Sequence, residues 1–65
     1  MRAVETKYGL VNLRYALIEI DEHNLEEGIE VSLDEEYLGA VFNTSSFDVD
    51  EFSLVEVEEI VEQFK

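Results

Sequence analysis

The chain has 65 residues, a net charge of −13, 46% hydrophobic residues, and neither cysteine nor proline. That length supports a single small domain, residues 1 to 65, and a chain of this size buries only about 60% of its unfolded surface. The absence of Cys or His clusters excludes disulfide and zinc staples, and the charge excludes direct binding to nucleic acid or to anionic membrane.

The charge is unevenly placed. Residues 1 to 18 hold Arg2, Lys7 and Arg14 against Glu5, a balance of +2. Residues 19 to 65 hold sixteen acids against Lys65 alone, a balance of −15. No apolar run approaches the roughly 18 residues a membrane span needs, and Met1 to Tyr8 is too polar for a signal peptide. With no cysteine, the expected compartment is the reducing cytoplasm.

Residues 1 to 6 are polar and read as a frayed terminus. From Lys7 to Asp21, Val11, Leu13, Tyr15 and Leu17 alternate with Asn12, Arg14 and Ala16, the period of a strand. A helical wheel scatters the same apolar residues all round. The alternation slips at Ile18 and Ile20, which predicts a bulge near Leu17–Ile18.

Asp21 to Gly28 reads as a polar loop. Ile29, Val31 and Leu33 then alternate with Glu30 and Ser32, predicting a second strand with one acidic, solvated face. Asp34-Glu35-Glu36 makes a turn. Tyr37 to Phe42 predicts a third strand, with Gly39 marking a bulge or a close approach. A helix over residues 34 to 42, capped by Ser32 or Asp34, is the alternative. Asn43 to Ser46 is a loop, and Phe47 to Glu51 leads out of it.

The strongest local signal closes the chain. Ser53 followed by Glu56 is a capping box, and Phe52 with Val57 matches a hydrophobic staple. Leu54, Val57, Ile60, Val61 and Phe64 share one third of the helical circumference, while Glu56, Glu58, Glu59, Glu62 and Gln63 take the rest. Lys65 suits the negative end of the helix dipole. The predicted fold is α+β: a three-stranded antiparallel meander packed by one C-terminal amphipathic helix, β-β-β-α. Its second sheet face is exposed or paired with another copy.

Catalytic constellations are missing. His23 stands alone among Asp21, Glu22, Glu26 and Glu27, with no nucleophile or oxyanion donors nearby, and reads as a solvated loop histidine. Ser45 and Ser46 lack a glycine-rich elbow, and no nucleotide-binding or zinc-protease motif occurs. A calcium loop counted from Asp48 finds acids at Asp50 and Glu59. It also finds Phe52 and Ser53 where an oxygen ligand and a glycine are needed. The expectation is a non-enzyme with no cofactor and no metal.

The acidic surface is therefore the functional candidate. Same-face residues of a strand lie roughly 6.7 Å apart, and DNA presents a charge every ~3.4 Å along each strand. Ordered carboxylates can thus stand in for phosphates at a basic cleft. The plain alternative is solubility, which a net charge of about 2 to 8 in magnitude already secures. The candidate partner-binding residues are Glu30, Asp34, Glu35, Glu36, Asp48, Asp50, Glu51, Glu56, Glu58, Glu59 and Glu62. Val55 joins them as a lone apolar residue ringed by carboxylates.

In size, acidity and lack of catalytic residues the chain resembles phage-encoded inhibitors of host DNA-acting proteins, some of them nucleic-acid mimics. That resemblance is one of character and carries no motif. It implies an inhibitor of a nucleic-acid-handling protein with a basic surface. The alternatives are an adaptor that homodimerises through its sheet, and an antitoxin or immunity partner of a basic toxin.

Overall fold

Four strands, not three, form the sheet in the computed structural model, which describes residues 1–65. They are β1 (Arg2–Thr6), β2 (Gly9–Asp21), β3 (Asn24–Leu33) and β4 (Glu36–Val41), antiparallel throughout and adjacent in chain order. A 3₁₀ turn at Val49–Glu51 and helix α1 (Leu54–Glu62) complete the chain. Two residues suffice for each hairpin turn: Lys7-Tyr8, Glu22-His23 and Asp34-Glu35.

The extra strand corrects the expectation of a frayed terminus. Residues 2 to 6 pair with β2, from Arg2 opposite Leu13 to Thr6 opposite Gly9. Val4 is the only aliphatic residue on its inward face, so the alternation carries almost no hydropathy signal. Arg2 supplies the anchor instead: its guanidinium donates to the carbonyls of Val49 (2.9 Å) and Phe52 (2.6 Å), tying the strand to the segment that enters the helix.

The polar stretch from Asp21 to Gly28 is likewise strand, apart from the Glu22-His23 turn. Gly28 does not end a loop. It pairs with Ala16 in mid-strand, and a Cβ there would lie 2.8 Å from Ile18 Cδ1 and 3.1 Å from the Phe42 ring. The bulge sits at Ile20, where the register shifts between Glu19 and Asp21, rather than at Leu17–Ile18. The strand rather than the helix forms over residues 36 to 41. Gly39 there fulfils both expectations. Leu38 is skipped in the register beside it, and at φ +146° its missing side chain leaves room for Phe64, whose Cε1 would be 2.8 Å from a Cβ.

The core lies between one sheet face and the helix. Val11 and Leu13 of β2, Ile29 and Val31 of β3, and Val41 of β4 meet Val57, Ile60 and Val61 of α1, with Val49 and Phe52 closing one end. No polar side chain is buried among them. The capping box forms as the spacing predicts: Ser53 Oγ accepts from the Glu56 amide (3.2 Å), and Glu56 Oε1 accepts from the Ser53 amide (3.0 Å). Phe52 and Val57 are both buried, as a staple requires. Leu54 departs from the predicted stripe: in the first helical turn it clears the sheet and remains 49% exposed.

Candidate binding surface

Three of the four helix acids turn out to hold the fold together. Glu56 is occupied by the capping box. Glu58 accepts from the Lys7 amide (3.0 Å). Glu62 accepts from the Tyr8 hydroxyl (2.6 Å) and lies 3.9 Å from Lys7 Nζ. The β1–β2 turn thereby clamps the helix. Donation to Glu62 is the main reason that the Tyr8 hydroxyl is pushed up to about 12, aided by the charges of Glu62 and Glu58. Lys65 Nζ stands 4.3 Å from the Tyr8 ring centroid, a cation–π contact. Glu59 alone of the helix acids has no partner.

The other candidates divide the same way. Glu30 pairs with Arg14 across β2 and β3 at 3.0 Å. Asp34 extends the ladder: its carboxylate accepts from the Leu10 amide (2.9 Å) while its own amide donates to the Leu10 carbonyl (2.8 Å). Asp48 caps the 3₁₀ turn through the Asp50 amide, and Glu51 accepts from Ser46 Oγ. Glu35, Glu36 and the Asp50 carboxylate make no hydrogen bond and face solvent. Val55 is 62% exposed, beside Glu58 and Glu59 rather than covered by the preceding loop. The twelve candidates thus form no single patch. They are spread over the helix, the middle of β3 (Glu30), the β3–β4 turn with the start of β4, and the loop that precedes the helix.

Residues outside that set make the more distinctive feature. β1 pairs with β2 only as far as Leu13, and β4 pairs with β3 only from Ile29 onward. Residues 16 to 21 and 24 to 28 therefore project as a two-stranded ribbon, part of a molecule 38 Å in its longest dimension. On the ribbon face continuous with the core, Leu17 stands opposite Glu27 and Leu25 opposite Glu19. Leu17 is 59% and Leu25 61% exposed, and Ile20 at the bulge is exposed too. The tip is an Asx turn in which the Asp21 carboxylate accepts from the His23 amide and the Asn24 side chain. Those bonds, the His23 amide first, hold the Asp21 carboxyl below the usual range. His23 itself is exposed at the turn. Asp21 and Asn24 flanking two turn residues were the available sequence signal for this hairpin.

Where β4 stops, a cleft of about 450 Å³ opens beside the ribbon, lined by Glu26, Glu27, Phe42, Asn43 and Phe47. Phe47 meets Tyr15 edge-on at 6.1 Å between ring centroids. Tyr15 in turn donates to Glu27 (2.8 Å), which raises its own hydroxyl pKa. The opposite face of the sheet is quieter: Asn12, Ala16, Ser32 and Ala40 surround the Arg14–Glu30 pair.

No three or more His, Cys, Asp or Glu side chains are grouped so as to hold a metal ion. No helix is long and apolar enough to cross a membrane. Comparison with known proteins finds no matching family model, no matching curated protein and no matching solved structure.

Proposed function

We propose that this chain is a non-enzymatic binding protein that occupies a basic, nucleic-acid-binding surface of a partner protein and blocks it. One observation carries the reading: every basic side chain is already engaged within the fold. Arg2 holds two backbone carbonyls, Lys7 approaches Glu62, Arg14 pairs with Glu30, and Lys65 covers Tyr8. Glu5, Glu19, Glu26, Glu35, Glu36, Asp50 and Glu59 are left with no hydrogen-bonding or ion-pairing partner in the chain. Most of these project from strands or two-residue turns, a rigid frame on which carboxylates keep fixed spacings, as substitutes for phosphates must. A surplus beyond the needs of solubility, at a cost in self-repulsion, supports a cationic partner.

Competition tests it. Duplex DNA and this protein should exclude one another from the partner, with an affinity that falls as salt rises, because exposed charges are screened over about 8 Å at physiological ionic strength. A partner that binds both together, with an affinity indifferent to salt, overturns the reading. The neutral outer sheet face around Arg14 and Glu30 favours a second reading, an adaptor that homodimerises through its sheet. Light scattering that finds a dimer dissociating when Ala40 is replaced by Glu would support that alternative.

A further inference from the structure

We infer that the open edge of β3 at Asn24–Gly28 takes up an extended, lysine- or arginine-bearing segment of the partner as an added strand, seating one basic side chain in the adjoining cleft. The inference rests on the proposal of a cationic partner and names the part of it that docks. Four observations lead there. First, β4 pairs with β3 only over residues 29 to 33, and none of the backbone hydrogen bonds outside the strand ladders reaches residues 24 to 28. Alternate peptide groups along that edge have no partner, which is the template on which an extended peptide adds to a sheet.

Second, the cleft beside this edge combines the two features that recognise a basic side chain. Phe42 and Phe47 offer aromatic faces to a cation and its aliphatic stem, and Glu26 and Glu27 offer carboxylates. Glu26 has no internal partner, while Glu27 accepts one bond from Tyr15 and keeps further acceptor capacity. Third, the nearest residues add apolar area: Leu25 is largely exposed on the edge strand itself. Fourth, the charge selects the occupant. Acids on an edge deter pairing with another copy of the chain, which would bring further carboxylates to the same place. A strand carrying Lys or Arg meets no such barrier. It would lie where β4 would run had the chain not left the sheet at Phe42.

The test uses the intact 65-residue protein and a fluorescent peptide alternating lysine and valine. A second peptide of the same length and charge has alternate backbone amides N-methylated, so that it cannot complete a ladder. The lysine–valine peptide should bind and slow hydrogen exchange at residues 24 to 28. N-methylation should weaken it about tenfold or more, and so should the double change Glu26→Gln with Glu27→Gln, both on exposed side chains. Equal affinity for the two peptides, or protection confined to α1, would overturn the edge site and leave diffuse charge attraction. Indifference to the double change would overturn the cleft. The competition experiment with DNA is independent of these outcomes. A peptide that binds the edge while DNA and the protein share the partner would sink the phosphate-mimic reading alone.

Discussion

Glu35 occupies the left-handed region at φ 71°, next to Asp34 at φ 49°. A two-residue hairpin with both central residues at positive φ is the type I′ turn, for which Asp-Gly is far better suited than Asp-Glu. A side chain in that region costs roughly 1–2 kcal/mol. Glu35→Gly should therefore raise the unfolding free energy by about 1 kcal/mol, after allowance for the freer unfolded chain. Asp34 should not tolerate the same change, because its carboxylate holds the Leu10 amide. A denaturant midpoint for Glu35→Gly at or below that of the native chain would mean the turn is unstrained. Arg2 is the other single residue on which much depends. Arg2→Met keeps the aliphatic stem but removes both carbonyl contacts, so denaturant unfolding should show a loss of about 2 kcal/mol, typical of hydrogen bonds from a charged donor.

At the scale of the element, α1 is held at both ends. Ser53→Ala removes the acceptor for the Glu56 amide and should weaken folding by about 1 kcal/mol in thermal or denaturant unfolding. The far end is held by Tyr8, and this clamp is sensitive to pH. The folded state raises the Tyr8 hydroxyl from 10.0 to about 12, so the protonated form is the one that folding favours. Its contribution is complete below pH 10 and disappears as pH rises toward 12. Thermal unfolding of the native chain should thus fall across that interval, and Tyr8→Phe should remove part of the fall; parallel curves would show that the hydrogen bond is not made. Because Glu56, Glu58 and Glu62 are all occupied, neutralising them would disturb the helix as well as any interface. Glu59→Gln is the helix substitution that reports on binding alone.

For the molecule as a whole, repulsion is the dominant long-range effect. With 17 acids against four bases, only two Lys or Arg side chains form ion pairs, and these are exposed pairs of modest worth. Screening by salt should relieve more repulsion than attraction, so the melting temperature should rise with added NaCl. A steady decline would show that the carboxylates are better paired than the geometry indicates. The ribbon is where this repulsion and exposed apolar area coincide: Leu17, Ile20 and Leu25 lie among Glu19, Glu22, Glu26 and Glu27, beyond the reach of the helix.

The sequence by itself determined the elements whose periodicity is driven by burial. Val11 and Leu13, Ile29 and Val31, and the stripe from Val57 to Val61 read correctly because each alternates or recurs against polar neighbours on one buried face. The capping box was equally legible, since its partners are three residues apart. Tertiary structure alone decided the rest. β1 and the outer half of β3, Asn24–Gly28, bury little, so backbone pairing rather than hydropathy makes them strands, and no periodic signal marks them. The roles of the acids were hidden for a related reason. Glu58 and Glu62 answer to Lys7 and Tyr8, more than fifty positions away, and charge composition cannot distinguish a carboxylate that clamps a helix from one left free for a partner.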